Sequence, residues 1–288
     1  VTDIDYQAPA RLEDAIALLA GSRAGARSLA GGTDLMVQMR SGRVQPGRIV
    51  DLKRIPGMVG VRESAEGFEI GAATPCAAIG EHAALAAAWP GVVEAARLIG
   101  SAQVQGRASL GGNLCNASPA ADSVPALIAA AAVCLIAGPD GRREIPVEQL
   151  QAGPGRNTLA AGELLVALRL PRPAPRSGDA YLRLIPRTEM DIAVVGAGVS
   201  LSVDAERRVI AARVALGAVA PTALRVDSAA QALLGTHLEP AALQALEAAA
   251  RAACRPIDDK RGTAAYRTRV AGVLARRAAL QAYERACA

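Results

Sequence analysis

The sequence predicts an α+β protein of two domains, and three observations carry that prediction. A strand, a glycine turn, a helix and a further strand follow one another within roughly the first 55 residues. Three prolines then interrupt the chain at Pro171-Arg172-Pro173-Ala174-Pro175-Arg176-Ser177-Gly178, where regular structure cannot continue. Beyond them three strand-like stretches precede three helix-like ones, the order of a separate α+β unit with a three-stranded antiparallel sheet and helices. The expected division is therefore 1–177 and 178–288, the first part forming lobes of about 1–55 and 56–177.

Each element has its own signal. Leu12, Ala15, Ile16 and Leu19 recur at helical spacing and predict a helix over 11–20. A short strand at 27–30 meets Gly31-Gly32-Thr33-Asp34, a helix runs to Met39, and 49–52 reads as a strand. Residues 59–61 and 68–71 form a strand pair about a polar turn, and helices follow at 77–85 and 92–99. The glycine-rich stretch 108–122 has no strong periodicity and reads as an ordered loop, with strands at 133–137, 143–146 and 164–170 after it. Past the prolines, 181–185, 193–203 and 209–219 are strands, and 227–234, 240–253 and 263–286 are helices.

Composition narrows the function. With 51% hydrophobic residues in 288, the chain has ample material for a buried core. Thirty-two basic against 27 acidic residues leave a charge of only +5, which argues against an electrostatic nucleic-acid binder. Of those basic residues only Lys53 and Lys260 are lysines. Cys76, Cys115, Cys134, Cys254 and Cys287 are odd in number, far apart and without a CxxC pair, so neither zinc nor an iron–sulfur cluster finds a local site. A reducing cytoplasm suits them. The apolar run 124–137 is too short for a membrane span and contains Pro125. Asp3 and Asp5 stand where a signal peptide would carry positive charge. The histidines, His82 and His237, lie near no serine or cysteine motif, and His82 reads as a packed or solvated residue. Neither a phosphate-loop motif nor G-x-G-x-x-G is present. No catalytic residue and no metal ligand set is assigned.

Two features remain. Leu29-Ala30-Gly31-Gly32-Thr33-Asp34-Leu35 is a tight turn between strand and helix. Its adjacent glycines uncover backbone N–H groups where the following helix points its positive end, which suits a pyrophosphate. Thr33 and Asp34 serve equally well as helix caps. The second is Ser109-Leu110-Gly111-Gly112-Asn113-Leu114-Cys115-Asn116-Ala117-Ser118-Pro119-Ala120-Ala121-Asp122. All its polar residues are turn formers, yet a loop so polar between apolar segments needs partners, and a ligand with phosphates and hydroxyls supplies them. Two such loops about 80 residues apart fit one dinucleotide lying between two small lobes.

At these residues the sequence resembles the flavin-binding medium subunit of the molybdenum hydroxylases, the group of carbon monoxide and xanthine dehydrogenases. A-G-G-T-D-L at 30–35 and S-L-G-G-N-x-x-N-A-S-P-x-x-D at 109–122 carry the likeness. Tyr181-x-Arg183-x-x-x-Arg187-x-x-Met190-Asp191-x-Ala193 and Pro256-Ile257-x-Asp259-x-Arg261-Gly262-x-x-x-Tyr266-Arg267, with Arg276-Arg277-Ala278, extend it to nearly the whole chain.

The resemblance implies a two-lobed FAD-binding domain of the vanillyl-alcohol-oxidase (PCMH) type, followed by a C-terminal domain of the carbon monoxide dehydrogenase flavoprotein type. Leu29, Ala30, Gly31, Gly32, Thr33, Asp34 and Leu35, with Ser109, Leu110, Gly111 and Gly112, inherit the grip on the FAD pyrophosphate. Asn113, Asn116, Ser118 and Asp122 match positions that reach the ribityl chain, and Leu165 matches an apolar one near the ring systems. Arg183 falls where many relatives carry a lysine near the flavin, and Ile192 where some carry an aromatic residue. The implied partners are a large subunit with a molybdenum pterin cofactor and a small subunit with 2Fe–2S clusters, in a dimer of heterotrimers. Electrons would enter from the clusters and leave to an external acceptor. Two other readings stay open: a free-standing FAD oxidoreductase of the same fold, and a non-enzymatic nucleotide-binding structural subunit.

Overall fold

The short strands of the N-terminus form a parallel sheet because each returns through a helix or a crossing loop. A computed structural model describes residues 4–21 and 25–288, so Asp3 lies outside it. The first lobe contains β1 (Asp5–Gln7), α1 (Leu12–Ala20), β2 (Ala26–Leu29), α2 (Leu35–Arg40) and β3 (Arg48–Asp51). Its sheet runs β1-β3-β2, with both outer strands parallel to β3. Asp51, at the end of β3, is buried and accepts a hydrogen bond from the hydroxyl of Tyr6 at 2.7 Å.

The second lobe opens with the hairpin β4 (Val61–Ser64) and β5 (Gly67–Gly71). Six helices follow: α3 (Cys76–Glu81), α4 (Ala83–Ala88), α5 (Pro90–Arg97), α6 (Ala102–Gln105), α7 (Leu110–Asn116) and α8 (Ser123–Ala129). Then come β6 (Val133–Gly138), β7 (Gly141–Pro146), β8 (Gln151–Gly153), β9 (Arg156–Asn157) and β10 (Leu164–Pro171). The antiparallel order β4-β5-β10-β6-β7 places β10 at the centre, and all its residues but Arg169 are apolar.

Two expectations change here. The helix foreseen over 77–85 is broken at His82, whose backbone turns extended and whose Nδ1 accepts the N–H of Leu85, capping α4. His82 also meets the ring of Phe68 edge-on, so it is a packed capping residue. The stretch 108–122 is not a loop throughout, because 110–116 is helical. Ser109 caps α7 by accepting the N–H of Gly112 at 3.1 Å, and Ala117 ends it in the left-handed region. Two glycines weaken the local helical signal, and tertiary packing of Leu110 and Leu114, both buried, overrides it.

The C-terminal sheet β11 (Ser177–Leu184), β12 (Val195–Val203), β13 (Val209–Gly217) and β14 (Leu224–Arg225) is antiparallel in that order. The two-residue β14 adds a fourth strand to the three foreseen. Helices α9 (Asp227–Gln231), α10 (Pro240–Ala253) and α11 (Ala264–Cys287) follow as expected. Only 2% of the chain is aromatic, so its cores are filled by aliphatic side chains, and small residues allow close approach where helix meets sheet. Along α11 the buried positions include Ala271, Ala275, Ala278, Ala279, Ala282 and Ala286. At Gly198 of β12 a Cβ would lie 2.5 Å from the carbonyl oxygen of Pro125, so sheet and α8 meet backbone to backbone.

Candidate functional site

The two glycine segments meet. A Cβ on Gly31 would stand 1.9 Å from the carbonyl oxygen of Arg107, and one on Gly111 would stand 2.4 Å from that of Ala72. Glycine at these two positions is required by contact. Gly32 instead has φ of +79°, a turn that side chains resist. Between the segments a cleft of about 430 Å³ opens, within the usual range for small-molecule sites.

Its wall contains Leu29, Ala30, Gly31, Gly32, Thr33, Asp34 and Leu35 from the first segment. Ser109, Gly111, Gly112, Asn113 and Asn116 come from the second, and Leu165 from the bulged part of β10. Among the described residues, no acceptor takes the backbone N–H groups of 31–35, nor those of Leu110 and Gly111. The cap reading of Thr33 and Asp34 fails, because Asp34 has helical dihedrals and makes no capping bond. The surrounding wall raises the Asp34 carboxyl above its ordinary value, although the side chain still reaches water.

Polar side chains brace the cleft, one of them across the lobes. Gln38 Nε2 donates to Asn116 Oδ1 at 2.9 Å, joining α2 to α7. Ser123 Oγ donates to Asn113 Oδ1 at 2.7 Å, and Asn157 Nδ2 to the carbonyl of Cys115 at 2.8 Å. Burial pushes the Cys115 thiol up to about 12, so it stays protonated. Sequence reading missed Arg27, Gln38 and Arg43 in the wall. The only signal for Arg27 was its period-two spacing with Leu29 and Gly31.

Four expected residues stand off this wall. Leu110 is buried in the core, and Ser118 Oγ accepts the N–H of Ala120. Asp122 and Arg183 engage one another: Arg183 Nη1 donates to Asp122 Oδ2 at 2.6 Å and the Tyr181 hydroxyl to Oδ1 at 2.9 Å. Burial raises the Asp122 carboxyl, against the pull of Arg183 and Tyr181. Asp122 makes no capping bond to α8 either. Ile192 is half exposed and lines none of the cleft.

A lobe with a parallel sheet and a lobe with an antiparallel one, with a cleft walled by the glycine turn 31–34 and the glycine-bearing start of α7, are the features of a flavoprotein of the two-lobed FAD-binding class. Residues 2–173 match the family described as the FAD binding domain in molybdopterin dehydrogenase, and 180–282 the CO dehydrogenase flavoprotein C-terminal domain. The carbon monoxide dehydrogenase medium chain of Hydrogenophaga pseudoflava is 36% identical over 281 residues, 98% of this chain and 97% of that one. A putative xanthine dehydrogenase FAD-binding subunit of Escherichia coli is 33% identical, covering 84% and 82%. The solved structure of reconstituted CO dehydrogenase from Oligotropha carboxidovorans superposes with a TM-score of 0.94 at 35% identity, covering 98% of each chain. The chain belongs to the FAD-binding medium subunits of the molybdenum hydroxylases. It is an electron-transfer subunit of an oxidoreductase.

The cleft fits that cofactor on its own terms. A cradle that a Cβ would fill at Gly31 and Gly111, with unpaired N–H groups on the first turn and at the start of α7, suits a pyrophosphate.

Proposed function

We propose that FAD lies non-covalently between the lobes, with its pyrophosphate on the N–H groups of 31–35 and on the capped start of α7. The observation that carries this is the convergence of both glycine segments on one cleft. Asn113 and Asn116 serve the polyol, and Leu165 packs against a ring. Ser118, Asp122 and Arg183 take part only where the Asp122–Arg183 pair rearranges to admit the flavin. The protonated Cys115 offers no thiolate for attachment. Bound FAD supplies one- and two-electron redox chemistry. The chain's residues bind it, orient it and hold it out of water.

The division into 1–177 and 178–288 belongs to the same reading, supported by the two buried clusters the chain builds. So do the partners: a large molybdenum-pterin subunit and a small 2Fe–2S subunit, assembled as a dimer of heterotrimers. Electrons pass from the clusters to this chain and on to an external acceptor. Five free thiols support a reducing cytoplasm. Among the described residues, no helix is long and apolar enough to cross a membrane.

The test is Gly32→Val. Strain at φ +79° and contact with Leu29 at 2.9 Å from the new Cβ displace the turn. The variant complex should fold yet lose most of its flavin, read by absorbance after gel filtration. Full flavin content in a folded variant would remove the turn from the site, and flavin retained through acid precipitation would contradict non-covalent binding.

A further inference from the structure

Behind the first glycine turn stands one of the two lysines in a chain whose other 30 basic residues are arginines. Lys53 Nζ donates to the carbonyl oxygen of Ala30 at 2.9 Å and lies 2.8 Å from Asp51 Oδ1. Asp51 also takes the backbone N–H of Lys53 at 3.0 Å and the Tyr6 hydroxyl at 2.7 Å. Burial raises this carboxyl, but the hydrogen bonds from Lys53 and Tyr6 outweigh it and hold the carboxyl below its usual value.

We infer that Lys53 is a positioning residue, which through the carbonyl of Ala30 sets the glycine turn 31–34 to receive an anionic pyrophosphate. The inference rests on the assignment of that turn to the FAD pyrophosphate. Lys53 does not line the cleft, so it acts through the backbone. Ala30 is held from one side by the ammonium, while Gly31 is held from the other by contact with the Arg107 carbonyl. The peptide between them has little freedom left, and its orientation decides where the N–H groups of 31–34 point. The ammonium also places a positive charge one carbonyl behind the anion.

The choice of lysine follows from the geometry. A compact ammonium with three rotatable donors bonds a carbonyl and a carboxylate at once, whereas a planar guanidinium needs more room and its donors lie in one plane. A lysine here, in a chain whose composition runs so strongly to arginine, agrees with a place that arginine does not fit. A plain surface ion pair would show no such preference. Nor would it need the Asp51 side chain, which is only 9% exposed.

The experiment strips flavin from the intact complex and titrates it with FAD, for the native form and for Lys53→Met, Lys53→Arg and Gly32→Val. Losing a charge-assisted bond behind the turn should raise the Kd of Lys53→Met about tenfold. The ³¹P resonances of the bound pyrophosphate should shift, while the flavin-free complex melts as before. Lys53→Arg should restore neither the affinity nor the resonance positions. An unchanged Kd in Lys53→Met would overturn the inference, and so would an affinity loss matched by equal loss of flavin-free stability. If Lys53→Met does not fold, Asp51→Asn/Lys53→Met removes both charges together and is read by the same Kd and resonances. Gly32→Val separates the layers. If it keeps FAD, the pyrophosphate assignment of the turn falls; if it loses FAD while Lys53→Met does not, only the role of Lys53 falls.

Discussion

Asp122 gives both carboxylate oxygens to protein partners, Tyr181 and Arg183, and its side chain is only 10% exposed against 5% for Arg183. The Nε of Arg183 is buried without a partner, so the pair is already short of one acceptor. Removing the carboxylate strands a buried guanidinium, at a cost of about 3–5 kcal/mol. Asp122→Ala should therefore destabilise the flavin-free protein strongly, measured by urea unfolding of apo chain. Loss of flavin with unchanged apo stability would mean that the carboxylate serves the cofactor rather than the pair. The sequence, through two motif likenesses, assigned Asp122 to the ribityl chain and Arg183 to the neighbourhood of the flavin. It held no sign that they bind each other, because they lie 61 residues apart and only the meeting of α8 with β11 brings them together.

At the scale of elements, α5 and α7 show how much local sequence can and cannot tell. The strands and helices with clean periodicity, such as α1, β10 and α10, were legible to within a few residues. Helix α7 was not, since Gly111 and Gly112 weaken local propensity, and the helix forms through burial of Leu110 and Leu114, while Gly111 lets it approach Ala72. Its one local device is the Ser109 cap. Ser109→Ala should cost about 1 kcal/mol of stability, seen as a lower urea midpoint with unchanged slope. Helix α5 is tied to β11 by Asp179, which is 2% exposed. Burial pushes its carboxyl up to about 7, against the N–H of Gly91, the Arg285 guanidinium and the N–H of Val92, and with help from Glu94. Because the folded value lies above the ordinary 3.8, the folded state holds the proton more tightly. This contribution to stability is complete below 3.8 and is lost as pH rises to about 7. Asp179→Asn should flatten the melting temperature against pH over that window and melt higher than the native chain at pH ~8. An unaltered pH profile would show that the carboxylate titrates normally.

Across the whole molecule, acids of the second lobe meet arginines of the C-terminal part. Asp122 pairs with Arg183, Glu94 with Arg285, and Glu148 with Arg213 and Arg225 at 3.3 and 3.5 Å. With the backbone contact at Gly198, these pairs fix the C-terminal sheet against the second lobe. The cleft so framed is suited to holding a cofactor, not to proton chemistry of its own. Its one carboxyl with a shifted value, Asp34, has no partner histidine, and the Cys115 thiol stays protonated. His82 is spent on a helix cap. Among the described residues, no three His, Cys, Asp or Glu side chains gather as metal ligands. Under the proposed function, oxidation of the physiological substrate draws on groups held by other chains, and a redox donor docks within tunnelling reach of this cleft. The chain purified alone and loaded with FAD should show at most slow electron transfer with artificial dyes. Substrate-dependent turnover should appear only when molybdenum- and iron-containing subunits co-purify with it, read by metal content and steady-state rate on the same fractions. Turnover by this polypeptide with FAD alone, free of molybdenum and iron, would replace the electron-transfer reading with that of a free-standing oxidoreductase.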